Sequence, residues 1–124
     1  IAARDHELRP RLLDEPMVPG GAVSPGTGGV AVLDERASLR DVVRTLLDFN
    51  TRESCGKCTP CREGTARMRD LLDGRVAPGP EPALPVAELA EVVRLASLCG
   101  LGQAAPLSVL SALKEFREEF SDLR

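Results

Sequence analysis

A small, mainly α-helical bundle is the fold this sequence predicts, on three observations. Its apolar content is Leu, Val and Ala, with three Phe and no Trp or Tyr among 124 residues, a mixture suited to helix interfaces more than to aromatic-rich sheets. From residue 38 onward, apolar residues recur at helical spacing in four stretches, each able to bury one face. Pro60, Pro85 and Pro106 stand at the starts of three of them, where a fixed φ and a missing N–H cost least.

The length predicts one modest domain, or a piece of a larger one, with a small core. Beginning at Ile1, the chain is expected to be a fragment or a processed piece. A net charge of −3, from 16 Lys+Arg against 19 Asp+Glu, lacks the basic excess that phosphate neutralisation requires, so no nucleic-acid partner is expected. No apolar run is long enough to span a membrane and no leader pattern is visible, so direct membrane insertion is not expected either. A cytoplasmic, reducing setting fits these features, and there cysteines act as thiolate ligands more often than as disulfides.

Residues 1–29 mix charges with Pro10, Pro16, Pro19, Pro25 and a glycine cluster, which predicts an extended arm. His6, the single histidine, has no partner groups nearby in sequence and reads as a solvated side chain. The glycines at 26–29 precede a short apolar run, VAVL at 30–33. A phosphate loop needs the opposite order, strand then glycines then helix. A tight turn into a short strand ended by Asp34 and Glu35 is therefore expected. The resulting division is 1–36 as arm and strand, and 37–124 as helical domain.

Ser38 is a good N-cap for a helix to about Asn50, with Leu39, Val42, Val43, Leu46 and Leu47 as its apolar stripe, Asp41 at the third position, and Arg40 and Arg44 on the outer face. A second helix is expected from Pro60, capped by Thr59, through Met68, Leu71 and Leu72 to Gly74. The proline-rich segment 78–85 then excludes regular structure. A third helix from Pro85 carries Val86, Leu89, Val92, Val93 and Ala96, reaches Leu98, and is expected to end on a left-handed Gly100. A fourth, from Pro106, shows Leu107, Leu110, Leu113, Phe116 and Phe120. Four amphipathic helices with short or proline-rich connections predict a small bundle.

The chemistry sits in ESCGKCTPCREG, residues 53–64, with Cys55, Cys58 and Cys61 at three-residue steps and Cys99 far downstream. Thiolates are soft ligands that favour iron–sulfur clusters or zinc. Three-residue steps on a continuous helix would fan the thiols too widely, so Gly56 and Pro60 are expected to make the first part a loop. Cys61 then falls near the start of the second helix, where free N–H groups and the positive dipole end favour an anionic centre. A triplet of equally spaced cysteines plus one remote cysteine suits a [4Fe-4S] cluster. Structural zinc usually takes two C-x2-C pairs, and it stands as one alternative, with disulfides as the other. Lys57 and Arg62 adjoin ligand positions, Arg67 and Arg69 lie further along, and Gly56, Gly64, Gly100 and Gly102 are expected to let backbone approach the cluster.

The runs ESCGKCTPCREGT (53–65) and SLCGLGQAAPLSVLSALKEF (97–116), preceded by GTGGVAVLD (26–34), closely resemble the cluster-binding C-terminal region of the NADH-binding flavoprotein subunit of respiratory complex I. The same region is similar in NAD-reducing hydrogenase diaphorase subunits and in NAD-dependent formate dehydrogenase beta subunits. The resemblance implies a four-helix bundle below a β-grasp (SLBB) domain, of which residues 26–34 would be the final strand. It implies Cys55, Cys58, Cys61 and Cys99 as ligands of a [4Fe-4S] cluster that takes electrons from FMN after hydride transfer from NADH. A [2Fe-2S] thioredoxin-like subunit and a further iron–sulfur subunit would be partners, on the cytoplasmic side of a membrane complex in some relatives. Nothing here matches the glycine-rich flavin and NADH domain of the resembled family. FMN and NAD are thus expected only in an upstream domain, and the chain is not expected to be catalytic alone. The competing expectation is a zinc-stapled or apo helical assembly domain.

Overall fold

Ser38 starts the first helix as its sequence requires: its hydroxyl accepts the Asp41 N–H at 3.2 Å, satisfying one of the donors a helix N-terminus leaves free. The computed structural model describes residues 31–34, 36–75 and 85–123. They form α1 (Leu39–Glu53), α2 (Thr59–Leu72), α3 (Val86–Ala96), α4 (Gly100–Ala104), α5 (Leu107–Glu115) and a short 3₁₀ turn, Ser121–Leu123. The described chain is mainly helical, and no strand occurs among the described residues.

The long helices pack α1 on α2, α2 on α3, α3 on α5 and α5 back on α1, which makes a four-helix bundle, with α4 set against α2, α3 and α5. Leu39, Val43 and Leu47 of α1, Met68 and Leu72 of α2, Val86, Ala90 and Val93 of α3, and Val109 and Ala112 of α5 make the core. These follow the one-face spacing of three and four residues that burial against neighbours demands. Burying a Leu such as Leu47 contributes about 1.5–3 kcal/mol. Gly64 sets the α2/α3 distance, because a Cβ there would stand 2.1 Å from Val93 Cγ2. Its expected place beside a cofactor is therefore replaced by a helix–helix contact.

Several element limits differ from the sequence reading. α1 runs on to Glu53. α2 begins at Thr59 with Cys58, not Thr59, as N-cap. α3 stops at Ala96 and Ser97 is already extended, so Leu98 and Cys99 leave the helix. Gly100 opens α4 instead of closing α3, and among the described residues only Gly56 and Gly74 have positive φ. The stretch expected as one helix from Pro106 ends at Glu115. Phe120 is buried from the tail beyond it, while Leu107 is exposed and Val109 and Ala112 face inward.

Residues 31–34 carry no strand, and Val32 is 92% exposed. Asp34 instead opens a turn, accepting the Ala37 N–H through its carbonyl at 3.1 Å and the Arg36 N–H through its carboxylate at 3.0 Å. The expected arm with His6, the 26–29 turn, Val30 and Glu35, and the bulk of the proline-rich segment, lie outside the described residues. No described helix is long and apolar enough to cross a membrane.

Arg40 also departs from its expected place on the outer face. It donates to Leu72 O at 3.2 Å and Glu119 O at 3.1 Å, pairs with the Asp122 carboxylate, and lies 5.4 Å from the centre of the Phe120 ring. One guanidinium has five donors in a planar fork, which lets it gather the end of α2 and the C-terminal tail at once.

Candidate thiolate site

Cys55, Cys58 and Cys61 are presented by the turn from α1 into α2. Ser54 ends α1 in an extended conformation, and its hydroxyl accepts the Gly56 N–H at 3.3 Å. Gly56 has φ +75°, a backbone state that L side chains rarely adopt, and this reverses the chain between the first two cysteines. Arg62 reaches back from α2 to donate to Gly56 O at 2.5 Å, while its Nε meets Glu63 at 2.8 Å. Its role is to clamp the loop. Cys58 is the extended N-cap, its carbonyl accepting the Arg62 N–H at 3.0 Å. Cys61 is in the first turn of α2 and is 4% exposed, with Sγ 3.4 Å from the Ser54 hydroxyl.

The opposing wall comes from the turn between α3 and α4. Ser97 is buried, and its carbonyl is capped by the Gln103 side-chain amide at 3.1 Å. That bond answers the carbonyl freed where α3 stops, a task expected of Gly100. Cys99 is the extended N-cap of α4, accepting the Gln103 N–H at 3.1 Å. Gly102 presses this turn onto α2: a Cβ there would lie 2.4 Å from Ser97 Oγ and 2.9 Å from Cys61 Cβ. The backbone N–H of Leu98 is the main cause that draws the Cys58 thiol below its ordinary pKa, helped by the Cys61 N–H. Hydrogen bonds to the ionised form favour it.

Cys58 and Cys61 are therefore brought against the segment that carries Cys99, while Cys55 on the loop and Cys99 on the turn are exposed. All four thiols are free. Among the described residues no three His, Cys, Asp or Glu side chains close on a single metal ion. Lys57 and Arg67 are exposed. Arg69 is engaged by Asp70 at 3.0 Å and Asp48 at 3.7 Å, tying α2 to α1. Sequence reasoning missed Ser54, Ser97 and Gln103, and placed Gly102 for a different purpose. The only local signal is that Ser54 immediately precedes Cys55 and Ser97 lies two residues before Cys99.

Free thiols on facing segments, a buried hydroxyl with no partner inside the protein and a glycine contact with no room for a methyl group form a soft-donor cradle. Such a cradle suits a thiolate-held iron–sulfur group. The class this fold and site define is a small helical iron–sulfur domain.

The family model described as NADH-ubiquinone oxidoreductase-F iron-sulfur binding region matches residues 41–123, and the chain belongs to that family. Its cofactor is a [4Fe-4S] cluster and its role lies in electron transport. Over 98 residues the chain is 39% identical to the NADP-reducing hydrogenase subunit HndC of Solidesulfovibrio fructosivorans, covering 77% of this chain and 20% of that one. It is 36% identical over 97 residues to the NADH-quinone oxidoreductase F subunit of Rickettsia bellii, covering 76% and 23%. The corresponding F subunit of Streptomyces coelicolor is 37% identical over 99 residues, covering 78% and 22%. The chain thus spans about a fifth of the length of these relatives, each of them named as one subunit of an oxidoreductase or hydrogenase.

Proposed function

We propose that this chain is an electron relay holding one [4Fe-4S] cluster on Cys55, Cys58, Cys61 and Cys99, as part of an NAD-linked oxidoreductase. The observation that supports this reading is that the turn bearing Cys99 lies against the first turn of α2, where a Cβ on Gly102 would stand 2.9 Å from Cys61 Cβ. When bound, the cluster supplies storage and release of single electrons. The chain's own residues hold and bias it. The first-turn N–H groups of α2 and its dipole favour negative charge at Cys58 and Cys61, Arg62 keeps the loop in shape, and Gly102 lets the two walls meet.

In this reading electrons arrive from FMN, reduced by NADH, in a domain upstream, and leave for the next iron–sulfur centre. A [2Fe-2S] thioredoxin-like subunit and a further iron–sulfur subunit are the proposed partners, on the cytoplasmic side. Residues 1–36 are proposed to be an extended arm and the remnant of a β-grasp (SLBB) domain, and 37–124 the cluster domain; the exposed Val32 and Leu33 would be covered by the rest of that β-grasp domain.

Anaerobic purification with iron, sulfide and zinc analysis tests the proposal. About four Fe and four sulfide per chain are expected, with Cys99→Ser abolishing or converting the cluster. Zinc, or no metal after reconstitution, would instead support a zinc-stapled or apo assembly domain.

A further inference from the structure

Five hydroxyls inside the helices of this bundle share a habit. Thr45, Thr51, Thr65, Ser108 and Ser111 each donate to a backbone carbonyl three or four residues earlier. Ser97 does not. It is 5% exposed, and its Oγ has no hydrogen-bond partner within the protein. A buried hydroxyl left this way destabilises a fold, and alanine would fit the same space without that penalty. Ser97 Oγ and the Cys61 Cβ both lie within 3 Å of the point where a Cβ on Gly102 would stand, at 2.4 and 2.9 Å. Ser54 stands in a similar relation on the other wall: its oxygen accepts the Gly56 N–H, leaving its own proton for Cys61 Sγ at 3.4 Å.

We propose that Ser97, with Ser54 as its weaker counterpart, is a positioning residue whose hydroxyl donates to sulfur at the cluster site and raises the cluster's reduction potential. This rests on the cluster reading above. The cluster gains one electron on reduction while the serine keeps its proton, so no bond forms or breaks. A cluster with four thiolates carries a charge of about −2 when oxidised and about −3 when reduced, so a donor to its sulfurs stabilises the reduced form more. Ser97 is the stronger of the two because its hydroxyl has nothing else to bond and is shielded from water.

The test is an EPR-monitored redox titration of the reconstituted chain and of Ser97→Ala and Ser54→Ala, with iron and sulfide measured on each sample. Ser97→Ala is expected to keep its iron while the reduced-to-oxidised ratio at the wild-type midpoint falls about tenfold, equivalent to a drop of about 59 mV for one electron. Ser54→Ala should shift it in the same direction by less. Pulsed EPR in D2O should show an exchangeable proton coupling in the wild type that is reduced in Ser97→Ala, a change that a purely packing role would not produce. An unchanged midpoint and coupling in fully loaded Ser97→Ala would overturn the inference and leave the cluster reading standing. If that variant fails to retain iron, Ser54→Ala decides, and an unshifted midpoint there overturns the inference. A wild-type chain without iron after reconstitution would overturn the cluster reading and this inference together.

Discussion

The two ends of the bundle handle their polar groups in opposite ways. At the end formed by the start of α1, the end of α2 and the C-terminal tail, arginines meet carbonyls and carboxylates from within the chain. Arg40 serves Leu72, Glu119 and Asp122, and Arg44 and Arg75 both reach Asp73, at 2.6 and 3.3 Å. Asp73 Oδ2 lacks a hydrogen bond but keeps its ion pair with Arg75, whereas at the cysteine end the thiols are free and the buried Ser97 hydroxyl has no partner of either kind. A buried polar group without a partner is costly wherever it serves nothing. The difference shows where the chain holds itself together and where it is arranged around something else.

Variants at the two ends should therefore separate stability from cluster retention. The largest stability loss is expected for Phe120→Ala, which empties a fully buried site and should cost about 3–5 kcal/mol. Urea unfolding measures this, and iron per folded chain should stay at the wild-type level. A fall in iron matching the fall in stability would break the separation. Gly64→Ala comes next, since the new methyl meets Val93. Overpacking of this kind costs about 1–3 kcal/mol, offset by roughly 1 kcal/mol of helix propensity. Gly102→Ala, whose methyl would meet both Ser97 and Cys61, should cost about 1–3 kcal/mol in the unfolding of the iron-free chain and in addition lose the cluster, read from circular dichroism and iron content.

Smaller effects sharpen the same contrast. The Arg40 hydrogen bond holds the Asp122 carboxyl below its ordinary value of 3.8. A depressed folded-state pKa gives stability that is present above that ordinary value and is lost as pH falls through the folded one. The stability difference between wild type and Asp122→Asn should accordingly be level at neutral pH and shrink in strong acid, as urea midpoints across pH would show. A difference that grows toward acid would contradict the pairing. At the cysteine end, iron-free protein should alkylate at Cys58 faster than at an ordinary thiol near neutral pH, because its thiolate is favoured; mass spectrometry of a time course reads this.

Much of the bundle was legible because helix starts are written locally. Ser38 with Asp41 marked α1, and Pro60 lay within the first turn of α2, because a cap or a fixed φ acts over a few residues. The cysteine triplet was likewise legible from spacing, including the turn at Gly56. Helix ends were harder. Leu98 continues the apolar pattern of α3, yet the helix stops at Ala96 with Gln103 capping Ser97, a bond between segments that periodicity does not report. Arg40 read as an outer charge because its partners at Glu119 and Asp122 lie far along the chain.

By itself the sequence determined the thiol spacing, the loop that lifts Cys55 and Cys58 out of the helix, the helical class and the family to which the chain belongs. These depend on residue type and short-range geometry. Only the tertiary structure decided that Gly64 spaces two helices, that Gly102 joins the α4 turn to Cys61, and that Ser97 is buried with its proton unused. Each is a contact between segments separated by an intervening helix or loop, and close packing makes its outcome depend on the shape of both partners at once.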